Sequence, residues 1–198
     1  MNYGEVKDYF SKVLNRRDIT PSLTETFIQN AIQRTQRLLR LPPMEKSVII
    51  TPTDGAVDVP GDLLQFLAVI VDSKVHGRIS LSDLLTYREQ GSSFNGFCVQ
   101  DGEVLLTPIP PAGADVRIDY YGDFTSLVAN TDSNWMTDIA PDLIVYGALS
   151  YACDYFLDNR KELFEERFIN TVAELAEQRM MDELSSGAQI QPAYSMNY

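Results

Sequence analysis

The residue types that most often carry acid–base or nucleophilic chemistry are scarce in this sequence. There is one histidine, His76, and the glycine that follows it predicts a turn residue rather than a general base. The two cysteines, Cys98 and Cys153, stand among apolar neighbours and match neither a CxxC motif nor a zinc-ligand spacing. No serine lies in a Gly-x-Ser-x-Gly elbow, so a Ser-His-Asp triad has no support.

Phosphate-binding and carboxylate motifs are equally weak. Gly91 and Gly96 are not followed by the Lys-Ser/Thr pair of a phosphate-binding loop. The adjacent pair Glu165-Glu166 would point apart on a helix, so the two carboxylates make poor acid/base partners. We therefore predict no catalytic residue, no metal site and no cofactor. An enzyme that binds a divalent metal through scattered carboxylates stays open as an alternative.

The composition excludes several classes of protein. A chain of 198 residues suits one compact domain, or one domain with an insertion. With 28 acidic and 16 basic residues its net charge is −12, which disfavours a basic nucleic-acid-binding domain and a protein held on an anionic membrane. No apolar run approaches the ~20 residues of a membrane span, and no signal peptide is apparent. The basic minority clusters near the start of the chain, at Arg16, Arg17, Arg34, Arg37 and Arg40.

Helical periodicity occurs at both ends of the chain. Thr20-Pro21 predicts a helix start, with Thr as N-cap and Pro in the first turn, and Pro42-Pro43 ends that helix. A later helix that starts at Thr137 or Asp138 is apolar on most sides, so we expect it to be buried in a core or between subunits. A final amphipathic helix ends near Gly187.

The middle of the chain has the alternating pattern of strands. From Ser47 to Tyr121 the hydrophobic period changes to two, and the apolar run Phe66–Val71 predicts a central strand. Asp101-Gly102 separates two apolar runs and predicts a two-residue hairpin, in which both central residues have positive φ.

These patterns together predict an α+β fold that is mainly an α-helical bundle of about four helices, with a β-rich insertion and an extended C-terminal tail. The bundle would comprise residues 1–46 and 122–187, the insertion residues 47–121, and the tail residues 188–198.

The last residues of the chain have an unusual composition. Residues 185–198 carry no charge, although unordered ends are typically charged and poor in aromatic residues. A terminus that stays unordered is the plain interpretation. The alternative is a peptide that orders on a partner protein through apolar anchors. Those anchors would be Ile190, Pro192, Tyr194, Met196 and Tyr198.

Three segments carry a family resemblance. The run Tyr120–Leu127 is followed by a polar loop, by Asn134-Trp135-Met136, and by the run Ala140–Leu149. The segment Ala152–Arg160 fits the end of the same helix. Together they resemble the head-to-tail adaptor (connector, or head-completion) proteins of tailed bacteriophages, and the resemblance extends over most of the chain.

The resemblance implies a structural virion protein without enzymatic activity. Such adaptors form a closed ring of about twelve copies beneath the portal of the DNA-filled head. The ring joins head to tail, extends the DNA channel and helps to retain the genome. The implied partners are the portal protein, tail or neck proteins and other copies of the chain, while DNA passes without sequence-specific binding and no membrane is involved. The implied location is the virion neck, after synthesis in the host bacterial cytoplasm, and the C-terminal anchors become candidates for portal binding.

Two further sets of residues are predicted within such a ring. The apolar helix needs more cover than one small bundle provides, so neighbouring subunits would pack on it; the candidates are Trp135, Leu143, Tyr146, Tyr151 and Tyr155. An acidic wall would repel DNA phosphates and let the DNA slide. The candidates for that wall are Glu165, Glu166, Glu174 and Glu177.

Two other functions stay open. An acidic DNA mimic that inhibits a DNA-binding host protein fits the net charge of −12 but not the aromatic, uncharged tail. A stopper or tail-completion ring of the phage neck is barely separated from an adaptor by sequence, and the identity of the partner would decide between the two.

Overall fold

The computed structural model describes residues 1–53, 55–111 and 113–187, and of residues 182–187 the backbone only. The chain divides into two compact units. The helical unit contains Met1–Pro42 and the residues from Phe124 onward, and the sheet unit contains Pro43–Asp123.

The described residues form six α-helices and seven strands. The helices are α1 (Tyr3–Leu14), α2 (Pro21–Leu38), α3 (Leu81–Glu89), α4 (Trp135–Ile139), α5 (Pro141–Tyr155) and α6 (Lys161–Gly187). The strands are β1 (Glu45–Ile50), β2 (Ala56–Asp58), β3 (Leu63–Val71), β4 (Lys74–Arg78), β5 (Gly96–Gln100), β6 (Glu103–Thr107) and β7 (Val116–Gly122). No helix in the described part of the chain is both long and apolar enough to cross a membrane.

Local capping chemistry fixes where the first two helices begin. Asn2 caps α1 and forms a reciprocal capping box with Glu5, whose side chain accepts a hydrogen bond from the Asn2 backbone N–H at 2.9 Å. Thr20 caps α2 by accepting from the Leu23 N–H, and Pro21 takes the first helical position. The helix start predicted at Thr20-Pro21 is therefore confirmed.

Helix α5 is the centre of the helical unit. It packs against α1, α2, α4 and α6 of the same chain. Gly147 allows a close approach of α2 and α6 to α5, because a Cβ there would lie 2.9 Å from the Ala31 Cβ and 3.0 Å from the Phe168 ring. Its buried residues are Leu143, Ile144, Val145, Gly147, Ala148, Leu149, Ser150, Ala152 and Cys153. These residues are therefore covered within one chain, and packing of neighbouring subunits on the rest of α5 stays a prediction.

The region predicted as one helix from Thr137 or Asp138 contains two. Asn134 caps the short helix α4, and α5 begins afresh at Pro141. Ala140 between them has φ −132° and ψ 55°, outside the helical region. A residue before proline is disfavoured in helical conformation, which is the physical reason for the break.

The sheet unit is built on one curled, seven-stranded sheet with the strand order β1-β7-β3-β4-β5-β6-β2. Only β4 and β5 run parallel; the other neighbours are antiparallel. β1 and β2 flank the same short loop in sequence but lie at opposite edges of the sheet. The predicted strand Phe66–Val71 is interior, as part of β3.

Two turns in the sheet unit test the sequence analysis directly. The hairpin at Asp101-Gly102 is confirmed, because φ is 52° and 84° at these residues and Val99 pairs with Val104. The turn predicted at His76 is wrong, because His76 lies within β4. The turn before β4 is made by Asp72 and Ser73, both with positive φ (47° and 64°).

The predicted fold class needs a correction. The fold is α+β, but a mainly four-helix bundle is wrong, because the described chain has six helices and a seven-stranded sheet, with 46% helix and 23% strand. The physical reason lies in the sheet unit, whose inward-facing residues form a core of their own. That core is Val57, Val69, Val71, Phe97, Val104, Leu106, Ala114, Val116, Ile118 and Tyr120.

Candidate docking and channel surfaces

Helix α6 presents an acidic face to solvent. Glu166, Glu174 and Glu177 are exposed. At about 100° of rotation per residue they fall within about 80° of one another, on the side opposite the buried Phe164 and Phe168. Their carboxylates therefore form one acidic stripe, which we call the α6 stripe.

Glu165, the fourth predicted acidic residue, occupies a different side of α6. Arg34 on α2 donates to it through both terminal guanidinium nitrogens, and Ser150 on α5 donates a hydroxyl bond at 2.6 Å. The Arg34 guanidinium also lies 4.4 Å from the centre of the Phe168 ring. Glu165 therefore joins three helices of one chain instead of belonging to the α6 stripe.

The electrostatics of this cluster follow from its contacts. The hydrogen bonds from Arg34 lower the pKa of Glu165 to about 2, against an ordinary value of 4.5. The same pairing raises the pKa of Arg34. Both groups stay charged at neutral pH, so the cluster is a structural ion pair that fixes the packing of α2, α5 and α6.

A second arginine holds the turn between α5 and α6. Arg160 donates to the carbonyl oxygens of Val13 and Leu14 at 3.2 and 3.0 Å, where α1 leaves its last carbonyls unpaired. It also donates to Asp158 at 2.7 Å, and these bonds lower the pKa of Asp158 to about 2. The turn is therefore anchored to the end of α1.

The tip of that turn is strongly apolar and exposed. Leu157 is 91% exposed and Tyr155 is 61% exposed. Leu157 has φ 53°, a left-handed conformation that is unfavourable for leucine. The helical unit gains neither burial nor relaxed backbone from Leu157, so its side chain is available to a partner.

The other residues predicted to pack between subunits are largely used inside the chain. Leu143 is fully buried, and Trp135 is half-buried and stacks on Phe124 with ring centroids 5.8 Å apart. Tyr146 stacks on Phe164 at 6.4 Å. Tyr151 is half-buried, with the Arg34 guanidinium 5.9 Å from its ring. Of the five, Tyr155 offers the most free surface.

The Asn-Trp motif of the family resemblance has a structural role. Asn134 accepts from the Thr137 N–H at 3.2 Å and donates its amide to the Thr125 carbonyl at 2.9 Å. Trp135 then stacks on Phe124. The motif joins the start of α4 to the segment that precedes it.

The sheet unit has a groove of about 630 Å³ on its own surface. It opens where β4 ends, and no strand of the described residues fills the space between β3 and β5 there. The exposed apolar residues beside it are Leu67, Val75 and Val99, which are 46%, 65% and 37% exposed. The groove was not predicted, because alternation along a strand does not show which neighbour is missing.

The histidine and the two cysteines are buried. Burial raises the pKa of both Cys98 and Cys153 and lowers the pKa of His76, whose Nδ1 lies 3.1 Å from the Lys74 carbonyl oxygen. Within the described ranges, no group of three or more His, Cys, Asp or Glu side chains is placed to hold a metal ion. The predicted portal-binding residues Ile190, Pro192, Tyr194, Met196 and Tyr198 lie outside the described residues.

Arg34, Ser150, Arg160 and Leu157 were missed as key residues by sequence reasoning. Arg34 and Glu165 are 131 positions apart, and nothing local marks them as partners. An apolar residue next to Asp158-Asn159, at the break between two helices, was the one available signal for Leu157.

Comparison with known proteins tests the resemblance. No curated protein matches the chain. Residues 1–192 match the family model described as SU10 adaptor protein, which confirms the resemblance to phage head-to-tail adaptors. The chain belongs to the SU10 adaptor protein family.

Proposed function

We propose that this chain forms a closed ring of about twelve copies beneath the portal of a phage head, and that this ring joins the head to the tail. The observation that carries the proposal is the family match over residues 1–192. In this role the chain is structural, its partners are the portal and the tail or neck proteins, and its place is the virion neck. The match favours an adaptor over an acidic DNA mimic.

The α6 stripe supports a role for the ring as a DNA channel. Glu166, Glu174 and Glu177 project from one side of one helix, and closed cyclic symmetry would repeat that stripe around an axis. Negative charges around a channel repel phosphates, so DNA passes without adhering. Glu165 is paired with Arg34 and takes no part in this wall.

The turn between α5 and α6 supports a contact between neighbouring copies. Leu157 and Tyr155 form an exposed apolar tip, while the turn beneath it is held by Arg160 and Asp158. An apolar anchor on a rigid support is the arrangement that contributes most to protein–protein affinity. The same tip in each copy, seated on the next copy, would build the ring.

The experiment is to mix the full chain with portal rings of the same phage and to image the mixture by electron microscopy. We expect a ring of the chain beneath the portal. Portal rings that stay bare at every concentration of the chain would overturn the adaptor proposal. If the chain binds an isolated tail, or a portal that already carries another adaptor ring, but not the bare portal, the result would favour a stopper or tail-completion ring.

The channel wall has its own test. Particles that carry Glu166→Gln, Glu174→Gln and Glu177→Gln together should release DNA more slowly, because the wall would no longer repel the DNA phosphates. The matched control neutralises three exposed acids of the sheet unit by Asp58→Asn, Glu89→Gln and Glu103→Gln. DNA release that is unchanged, or equally changed in both triple variants, would contradict the channel proposal.

A further inference from the structure

The two most exposed large apolar side chains, among those that the structure describes, belong to two loops of the helical unit. Leu157 is 91% exposed in the turn between α5 and α6, and Val128 is 79% exposed in the loop between β7 and α4. A single exposed apolar residue is ordinary on a protein surface. These two differ from that case because they lie at opposite ends of helix α1.

Hydrogen bonds fasten the two loops to the two ends of α1. At its start, the Tyr3 and Gly4 N–H groups donate to the carbonyl oxygens of Asp132 and Asn130 at 2.8 and 2.9 Å. At its end, Arg160 donates to the last carbonyl oxygens of the helix. Because α1 has 12 residues, the two ends lie about 18 Å apart.

An aspartate holds each of these loops in shape. The Asp132 carboxylate accepts hydrogen bonds from the N–H groups of Val128 and Ala129 at 2.8 and 2.7 Å. The Asp158 carboxylate accepts from the Arg160 backbone N–H at 3.0 Å and from its guanidinium at 2.7 Å. Both loops are therefore ordered before any partner binds, which reduces the entropy that binding costs.

Each end of α1 carries a second exposed apolar side chain. Tyr155, two residues before Leu157, is 61% exposed, and Ile139 on α4 is 65% exposed. The Met1 amino nitrogen donates to the Thr137 carbonyl oxygen at 3.0 Å, which places α4 beside the start of α1. Each end therefore offers two apolar side chains to a partner.

The end at the start of α1 is acidic. Lys and Arg are absent from residues 118–159, which include Asp132, Asp138 and Asp142. The one cation that contacts these acids is the Met1 amino group, 3.5 Å from Asp138, among the groups that the structure describes. We call the surface formed by Val128, Asp138 and Ile139 the acidic end.

The opposite end is basic. Each aspartate of residues 15–18 and 154–161 is already paired with a cation; the pairs are Arg16–Asp18, Arg160–Asp158 and Lys161–Asp154. Arg17 is exposed and takes part in none of these pairs. We call the surface formed by Arg17, Tyr155 and Leu157 the basic end.

The charges at the two ends have one explanation within the chain. Acidic residues at the start of a helix and basic residues at its end interact favourably with the helix dipole. That explanation does not extend to the exposed apolar side chains beside the charges, since they gain no burial in one chain. Opposite charges next to exposed apolar residues are the features of two surfaces that fit each other.

A closed ring makes a geometric demand that these ends meet. Identical copies that follow one another around a ring need two different, complementary surfaces on each copy. In a ring of about twelve, each copy is rotated by about 30° relative to the previous one, so the two surfaces lie on nearly opposite sides of a copy. The acidic end and the basic end are different, complementary and opposite along α1.

We propose that the basic end of one copy docks on the acidic end of the next copy. The proposal rests on the ring put forward under Proposed function, and it names the surface that receives the tip at Leu157. Each copy uses both of its ends, so the contacts close with the ring. The α6 stripe takes no part in the contact and stays open to DNA.

The first test is disulfide crosslinking in rings assembled from full chains beneath the portal. One preparation carries Leu157→Cys, a second carries Val128→Cys or Ile139→Cys, and the two are mixed. The native Cys98 and Cys153 are 4% and 0% exposed, so the introduced thiols are the accessible ones. A disulfide forms only where the two Cα atoms come within about 7 Å, so a link reports a direct contact.

We expect covalent dimers from at least one of the two mixtures and from no variant alone. One chain that carries Leu157→Cys together with the linking partner, Val128→Cys or Ile139→Cys, should give a ladder of covalent multimers, because each copy then links to both neighbours. The matched control replaces Leu157→Cys by Ile49→Cys, a position 64% exposed on β1 of the sheet unit. Dimers of Leu157→Cys alone, or mixtures no better linked than with Ile49→Cys, would overturn the proposal.

An exchange of charges gives an independent readout. Arg17→Glu and Asp138→Arg each place like charges across the contact, and each should raise about tenfold the chain concentration at which half of the portals carry a ring. The two changes in one chain should restore the parent value. The matched control combines Arg17→Glu with Asp58→Arg, an exposed acid of the sheet unit. Restoration no better than in this control would contradict the proposal.

The outcomes separate this proposal from the adaptor role. Rings beneath the portal with neither the crosslinks nor the restoration would overturn the docking of the two ends and leave the adaptor standing. Crosslinked multimers beside bare portals would support the docking and overturn the adaptor. A cysteine of either end that links to the portal instead of to the next copy would assign that end to the portal and overturn the proposal.

Discussion

The two units of this chain differ in how completely they cover their own apolar residues. In the helical unit, α5 is apolar on most sides, yet four helices of the same chain cover it. In the sheet unit, the register of β3 against β7 shifts between Leu63 and Gln65 and between Phe66 and Ala68. Within the described chain its other edge is paired only from Val69 to Val71, beside the exposed Leu67, Val75 and Val99. The hydrophobicity of an element therefore does not show whether its partner lies inside or outside the chain.

The comparison changes where contacts between copies are to be sought. The sequence analysis placed them on α5, through residues such as Leu143. Of the five predicted residues the structure leaves Tyr155 exposed, and further free apolar surface lies at Leu157 beside it and along the groove of the sheet unit. An element that is covered within one chain contributes to the stability of that chain, and an exposed apolar element is a candidate for contacts between copies.

The largest expected effect on the unfolding free energy distinguishes a buried position, Leu143, from an exposed one, Leu67. Leu143→Ala should lower the free energy of unfolding by about 3 kcal/mol, because it leaves a cavity in a fully packed core. Leu67→Ala, at a position 46% exposed, should change the unfolding free energy by less than about 0.5 kcal/mol. Chemical denaturation of both variants provides the measurement, and equal losses would break the comparison.

Two glycines give the next contrast. Gly147→Val should cost about 2 kcal/mol, because the new side chain meets Ala31 and Phe168 where the helices are closest. Gly77→Val enters open space on a strand and should leave the unfolding free energy unchanged or slightly raised. Thermal unfolding checks both, and a stable Gly147→Val variant would show that α5 is not tightly enclosed.

The ion pair inside the helical unit gives a smaller, pH-dependent effect. Because the folded pKa of Glu165 is depressed to about 2 from 4.5, its stabilisation is complete above pH 4.5 and is lost as the pH falls toward 2. With 35% of the side chain exposed, screening reduces the contribution to about 1–2 kcal/mol. Glu165→Gln should lose that amount at neutral pH.

The measurement is the unfolding free energy of the parent and of Glu165→Gln between pH 2 and 7. The two curves should converge at the acid end, where the parent carboxylate is protonated. Glu166→Gln, on the exposed α6 stripe, is the matched control and should follow the parent curve. A constant difference between parent and Glu165→Gln at every pH would contradict a charge-based role.

The smallest effect is a gain in stability. Leu157→Asn should raise the unfolding free energy by about 0.5 kcal/mol, because asparagine tolerates the left-handed conformation better and Leu157 buries almost nothing. The same variant should weaken ring assembly if the exposed tip is a contact between copies. Calorimetry and ring counts by microscopy are the two measurements, and a clear loss of stability would show that Leu157 serves the fold.

Local chemistry was predictable from the sequence, and long-range pairing was not. The Thr20-Pro21 helix start and the Asp101-Gly102 hairpin depend on adjacent residues, and both are confirmed. The break at Ala140 was missed because apolar periodicity outweighed the effect of Pro141 on the preceding residue. His76 was misplaced because Asp72-Ser73, which make the actual turn, lack glycine.

The functional surfaces show the same limit. The sequence identified Glu165 and Glu166 as equivalent acids, whereas the fold pairs one with Arg34 and exposes the other. The spatial order of the strands depends on which edges meet in three dimensions, so the gap beside β3 had no local signal. The family resemblance, carried by packing residues such as Trp135, was the part of the functional assignment that the sequence could supply.

Hydrogen exchange of the free chain and of the ring beneath the portal would test the contrast between the units most directly. The account predicts that backbone amides of residues 64–68 and of β5 gain protection on assembly, while α5 is equally protected in both states. A ring in which α5 gains protection and the groove residues do not would contradict it. In that case the helical unit would be the open one, and α5 would be an interface between copies.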